Sequence, residues 1–202
     1  YDGEAHSVEG FTIDETTPLA EGQEFVASGY GRFTHAGEYE NEITFDVTST
    51  ENSETVSTKN NYEITVTAGT VAINHRDLYY TTGSGQWVYD GEEHFNVNIE
   101  NVSGVVASEH FEGENSNFPK ITDVGEVQNT LGLRIYHGAY EVTKNYNAIP
   151  TFGTLKVTPR SIKVLTSSAE KVYDGTPLTA KSYSFVNGTT VGGQNLSVEY
   201  VN

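Results

Sequence analysis

The stretch NYEITVTAGTVAINHRDLYYTTGSGQWVYDG, from Asn61 to Gly91, aligns without a gap on NYNAIPTFGTLKVTPRSIKVLTSSAEKVYDG, from Asn145 to Gly175. Asn-Tyr, Gly-Thr and Tyr-Asp-Gly hold their places throughout at an offset of 84. Working outward, Tyr1-Asp2-Gly3 is the first occurrence of the closing triplet, Tyr89-Asp90-Gly91 the second and Tyr173-Asp174-Gly175 the third. Upstream of Asn61 the offset is 88: Gly37-Glu38 with Asn41 answers to Gly125-Glu126 with Asn129, and Ile43, Phe45 and Val47 answer to Leu131, Leu133 and Ile135. The difference is absorbed between Ser49 and Asn60, 12 residues whose counterpart, His137 to Lys144, has 8. A segment that changes length while its flanks keep register is a surface loop. Repeats of this period mark a modular chain.

The repeat divides 202 residues into three spans: 1–74, 75–159 and a partial third, 160–202. A module of about 85 residues is large enough to bury its own core. The junctions Asn74-His75-Arg76 and Thr158-Pro159-Arg160 are shorter than a flexible linker. Pro159, which has no N–H to give to a ladder, suits a boundary. The strand at Ile162–Val164 can be assigned to the module before it or after it. In the first frame the span from Tyr1 to about Tyr80 is a whole module; in the second, module 1 lacks its first strand.

No long amphipathic helix is legible. Apolar residues alternate with polar ones at Ile43, Phe45, Val47; at Ile64, Val66; at Phe95, Val97, Ile99; at Leu155, Val157; and at Ile162, Val164, the period of half-buried strands. Such alternation indicates antiparallel sheets packed on one face. The expected fold is all-β: small antiparallel modules, sandwich-like or β-grasp-like, arranged head to tail. Strands are expected at Leu78–Tyr80, Phe95–Ile99, Ile43–Val47 and Leu131–Ile135. Others fall at Tyr62–Val66 and Tyr146–Ile149, and at Val71–Ile73 and Leu155–Val157. One helical turn is expected near Pro18 to Gly22, where Thr16-Thr17-Pro18 resembles a helix start.

Composition excludes several functions. The net charge is −17, with 11 basic residues, the opposite of what phosphate-backbone binding needs and unsuited to anionic lipid surfaces. Spread over strand faces, this charge keeps a protein soluble. With no cysteine there is neither disulfide nor thiolate metal site. No apolar run reaches the about 18 residues of a membrane helix, and no signal peptide is present. The opening Tyr1 reads as the start of an excised segment.

Asp-Gly is a turn pair, in which Asp bonds the local backbone and Gly takes positive φ, and the preceding Tyr adds a ring and a hydroxyl. All nine residues of the three triplets therefore read as structural. His6 and His94 share a repeat position that holds Leu178 in the third copy, which argues for a strand residue over a metal ligand. The carboxylates from Asp90 to Glu93 lack the alternating ligand spacing of a calcium loop. No nucleophile with a base partner, serine elbow or phosphate loop is present, so no enzyme activity, cofactor or metal is expected. An internal Lys–Asn isopeptide bond is not supported, because no Glu accompanies such a pair in the pattern. Trp87 stands where the third repeat has Lys171 and is expected to face solvent. With Tyr79, Tyr80 and Tyr136 it is a candidate aromatic platform for a glycan, the alternative being ordinary cross-strand packing.

The order Tyr-Asp-Gly, Gly37-Glu38-Tyr39-Glu40-Asn41, Asn61-Tyr62 and Gly69-Thr70-Val71-Ala72-Ile73 resembles the YDG/MBG-type repeats of long bacterial surface proteins and adhesins. The second copy gives Tyr89-Asp90-Gly91, Val124-Gly125, Asn145-Tyr146 and Gly153-Thr154-Leu155-Lys156-Val157. The family often carries Gly-Asp before its central strand; Gly22-Gln23 and Gly193-Gln194 stand in here, and the second copy has no clear match. The resemblance implies an extracellular, surface-attached, non-enzymatic chain whose neighbours are further repeats of itself. Two functions follow as expectations. One is a stalk that projects a distal binding domain; the other is a set of modules that themselves bind a host glycan or extracellular protein near Trp87. At about 3.3 Å per strand residue, a stalk of this length would approach about 100 Å.

Overall fold

The computed structural model describes residues 1–114, 116–197 and 199. The expected stop of the third repeat at Asn202 lies outside the described residues. The chain is all-β. In the first repeat run β1 (Gln23–Tyr30), β2 (Gly37–Asn41), β3 (Ile43–Glu51), β4 (Glu54–Ser57) and β5 (Gly69–Ile73). The second holds β6 (Arg76–Thr82), β7 (Gly85–Val88), β8 (Ile99–Ser103), β9 (His110–Gly113), β10 (Gly125–Gln128), β11 (Leu133–His137), β12 (Tyr140–Glu141), β13 (Tyr146–Thr151) and β14 (Thr154–Thr158). The third holds β15 (Lys163–Thr166) and β16 (Tyr183–Asn187). The helical content of the described residues is two single 3₁₀ turns, Lys59–Asn61 and Thr143–Asn145, which occupy the same repeat position.

The chain groups into two compact units. One comprises Tyr1–Tyr79, Ser103–Glu112 and Arg134–Ile149; the other comprises Tyr80–Val102, Gly113–Leu133 and Pro150–Asn202. Residues of the second repeat contribute to both. In the first unit β1 pairs antiparallel with β3, with a register slip between Ala27 and Gly29, and β3 continues into the hairpin strand β4. There β2 and β5 run antiparallel from Gly37↔Ile73 to Asn41↔Gly69, and β9, β11 and β12 make a further sheet. The buried side chains of this unit are Val47, Val71, Leu78, Ile135, Val142 and Tyr146. In the second unit β14 lies between β10, antiparallel, and β7, parallel, and β15 pairs with β16. Tyr80, Leu131, Leu133, Leu155 and Val157 are buried there, together with Thr82 and Asn129. The remaining sheet has the order β13-β6-β8.

The period-2 reading is visible strand by strand. Leu78, Tyr80 and Thr82 of β6 are buried while Asp77 and Tyr79 between them are exposed, and Leu155 and Val157 of β14 do the same. Burying one Leu of this kind stabilises by about 1.5–3 kcal/mol relative to leaving it in water.

Four expectations are corrected. The turn near Pro18 to Gly22 is not helical: a single bond, Gln23 N–H to the Ala20 carbonyl at 3.1 Å, closes it, and Gly22 at φ +78 departs from the helical region. The β7/β14 ladder is parallel where all ladders were expected antiparallel. A parallel pair needs a long crossover, and here the whole intervening part of the second repeat provides it. The strand expected at Phe95–Ile99 begins at Ile99, preceded by one bridge, His94 with Ile121. Asn96 explains the delay: its Oδ1 accepts the Asn98 N–H at 2.9 Å and its Nδ2 donates to the Ser84 carbonyl at 2.9 Å, local bonds that compete with a ladder. Finally, Tyr62–Val66 forms no strand, although its counterpart does, as β13. The neighbour of β13 is β6, and the 202 residues begin at the counterpart of Tyr89, so they contain no equivalent of β6 for Tyr62–Val66 to pair with.

Candidate functional site

Each Tyr-Asp-Gly triplet folds the same way. The Asp carboxylate accepts the backbone N–H two residues on: Glu4 to Asp2 at 3.0 Å, Glu92 to Asp90 at 3.0 Å, and Thr176 to Asp174 at 2.9 Å. The three glycines lie at φ +86, +81 and +80, where a side chain is strained. All three carboxyls are held below the usual range. His6 is the main cause at Asp2, the Glu92 N–H at Asp90 and Lys171 at Asp174. His6 and His94 place Nε2 at 2.9 and 3.0 Å from those carboxylates and bridge to Phe33 and Ile121 through their backbones. In the third copy, with Leu178 at the histidine position, Lys171 Nζ takes over at 2.8 Å from Asp174.

A second element recurs that sequence reading found only in part. Val106–Glu109 is a turn closed by Glu109 N–H to the Val106 carbonyl at 2.9 Å; Ala20–Gln23 and Val191–Gln194 close identically at 3.1 and 3.0 Å. Ser108-Glu109 is thus the second-copy counterpart of Gly22-Gln23 and Gly193-Gln194. The signal that persists is a small apolar residue followed three positions later by Glu or Gln, and identity matching on glycine passes over it.

These turns are sockets for the triplets. In the first compact unit, the Tyr146 hydroxyl accepts the Val106 N–H at 3.0 Å and donates to Glu109 Oε2 at 2.5 Å. The Tyr1 hydroxyl donates to the other oxygen of Glu109, Oε1, and its ring meets Tyr146 edge-on at 5.6 Å. A Cβ on Gly3 would stand 3.1 Å from Val106 Cγ1. Burial, reinforced by Glu109, pushes Tyr1 up to about 12 and raises Tyr146 as well. Arg76 Nε donates to the Gly104 carbonyl at 2.6 Å. The second compact unit repeats the pattern: Gln194 Nε2 donates to the Tyr89 hydroxyl at 2.5 Å, a Cβ on Gly91 would stand 2.7 Å from Val191 Cγ1, and Arg160 Nε donates to the Thr189 carbonyl at 3.0 Å.

Two asparagines complete the repeated framework. Asn145, fully buried, accepts the Ala36 N–H at 3.0 Å and lies 3.0 Å from His35 Nδ1. Asn129 Nδ2 donates to the Gly83 and Asn96 carbonyls at 2.9 and 2.8 Å. Its counterpart Asn41 makes the equivalent of the second bond only, to the Val8 carbonyl at 3.0 Å.

The aromatic candidates each have a local role. Trp87 is half-buried in β7 and stacks on His94 at 4.7 Å and 11°, which corrects its expected outward position. Its carbonyl accepts the Thr158 hydroxyl at 3.0 Å. In the other compact unit, Tyr136 stacks on His110 at 5.7 Å, while Tyr79 is exposed on β6 with its hydroxyl 3.4 Å from Asp77; Tyr80 is buried. A shallow depression lined by Ser84, Gly85, Gln86, Thr154 and Lys156 holds one cation, Lys156, already paired with Glu126. Among the described residues no cluster of three or more His, Asp or Glu is placed to hold a metal, and no helix is long and apolar enough to cross a membrane. Comparison with protein-family models, with curated proteins and with solved structures gives no match to this chain.

Proposed function

We propose that these are non-enzymatic spacer repeats of the YDG/MBG type in a bacterial cell-surface, adhesin-like protein, and that they hold a distal binding domain away from the envelope. The observation that carries the reading is the junction: Tyr1 of the first repeat is bonded to the Val106–Glu109 turn of the second, and Tyr89 of the second to the Val191–Gln194 turn of the third. A contact that each repeat makes with the next through residues at fixed repeat positions supports a mechanical role for repetition. Two-residue joints and a large negative charge suit a soluble, extended spacer.

Small-angle scattering on the fragment tests this. A stiff particle near about 100 Å long, unchanged by added calcium, is the expected result. A compact or strongly bent particle would overturn it, because a spacer must project.

A further inference from the structure

Of the three sockets, two hold a Tyr-Asp-Gly turn and the third does not. In the first repeat, the Tyr62 hydroxyl accepts the Ala20 N–H at 3.0 Å and donates to Gln23 Oε1, the same internal wiring that Tyr146 gives Val106 and Glu109. Gln23 Nε2 is left without a partner among the described residues, and Asn61, whose counterpart Asn145 is fully buried, is exposed. The third triplet is the converse, a plug without a socket. Tyr173 is 92% exposed and Val172 is 90% exposed, yet the Asp174 turn and the φ +80 of Gly175 are already formed. Plug and socket therefore both stand in their docked conformations, so little ordering opposes their meeting.

We propose that the Tyr173–Gly175 turn of one molecule docks on the Ala20–Gln23 turn and Tyr62 of a second copy of this chain. The chemistry matches the third-repeat socket most closely. There Gln194 Nε2 donates to the Tyr89 hydroxyl; here Gln23, its Oε1 occupied by Tyr62, offers Nε2 to the Tyr173 hydroxyl. Gly175 would lie against Ala20 as Gly3 lies against Val106. The two surfaces differ, so the contact is head-to-tail and generates open chains instead of a closed dimer. One tyrosine and a few hydrogen bonds make a small contact at the weak end of specific association, with a dissociation constant of about 1 mM or somewhat below. Each copy carries a charge of −17, so added salt strengthens the association by screening.

The test is sedimentation equilibrium of the 202-residue chain up to about 1 mM, with two variants. Tyr173→Ala removes the plug and keeps the socket; Gln23→Ala weakens the socket and keeps the plug. The wild type is expected to lengthen progressively with concentration. Each variant alone stays monomeric, and an equimolar mixture of the two forms dimers and nothing larger, because only one productive joint is left. That complementation also excludes misfolding as the cause of lost association. A wild type that remains monomeric across the range, or association that survives in both variants alone, overturns the proposal.

Discussion

The first and second repeats share a register over their whole length and differ in what they bury. Tyr62–Val66 and Tyr146–Thr151 follow the same 3₁₀ turn and precede the same Gly-Thr, yet only the second is a strand. Val47 and Val71 are the fully buried apolar side chains of the first repeat, whereas the second has Leu78, Tyr80, Leu131, Leu133, Ile135, Val142, Tyr146, Leu155 and Val157. The second repeat has β6, and the first has no equivalent to it in these residues. Alternation in a sequence is a capacity to form a strand; the ladder forms where a partner presents its own N–H and C=O groups.

The largest expected effect breaks the comparison at β6 itself. Leu78→Ala should cost about 2–5 kcal/mol, the range for truncating a fully buried leucine. Val66→Ala, at a site 47% exposed, should stay within about 0.5 kcal/mol. Denaturant unfolding of the two variants measures both. Equal losses would mean that the first repeat buries its own β13-like segment after all.

Next in size is a matched pair of glycines. A Cβ on Gly153 would lie 2.5 Å from the backbone oxygens of Thr82 and Gly83, while a Cβ on its counterpart Gly69 would meet nothing within 4 Å. Gly153→Ala should destabilise by about 1–3 kcal/mol through forced displacement of backbone, and Gly69→Ala should be close to neutral. Thermal unfolding of the two single variants decides it, and a sensitive Gly69 would contradict the open edge inferred for the first repeat.

These two pairs also mark how far the sequence could be read. The β class, the repeat register and the Tyr-Asp-Gly turns were legible because they rest on local rules: period-2 alternation, and the Asp-to-N–H bond with glycine at positive φ. The Tyr62–Val66 strand was misread because its fate depends on a segment far away in the chain. The Val106–Glu109 socket was missed for a different reason. Its function lies in one backbone bond and an acceptor side chain, and both survive replacement of Gly-Gln by Ser-Glu. The late start of β8 was hidden in Asn96, whose local bonds no hydrophobic pattern reveals.

The joint itself responds to alkali. Tyr1 is pushed up to about 12 and Tyr146 is raised too, against about 10 for a free tyrosine. A raised tyrosine value means that the fold favours the neutral phenol. The contribution is complete below about pH 10 and is lost as pH rises through about 12. Two of the 13 tyrosines should therefore ionise late in a phenolate absorbance titration. Tyr1→Phe should remove one late group and cost about 1–2 kcal/mol, the worth of a hydrogen bond to a charged acceptor. Ordinary titration of every tyrosine would show that the Tyr1–Glu109–Tyr146 cluster does not form in solution.

The smallest effect sharpens the comparison where the repeats trade one solution for another. Trp87 stacked on His94 and Lys171 paired with Asp174 occupy equivalent corners. Trp87→Lys would lose an aromatic contact of about 0.5–1.5 kcal/mol and recover part of it by reaching Asp90 in an exposed pair of about 0–1 kcal/mol. The net change should thus be under about 1 kcal/mol. The single tryptophan reports the stack independently of stability. His94→Leu, which installs the third copy's residue, should shift its emission, whereas His6→Leu at the matching position of the first repeat should leave it unchanged. A shift from both would mean that the tryptophan senses the general condition of the fold, and the corner would then have to be explained by packing common to all three repeats.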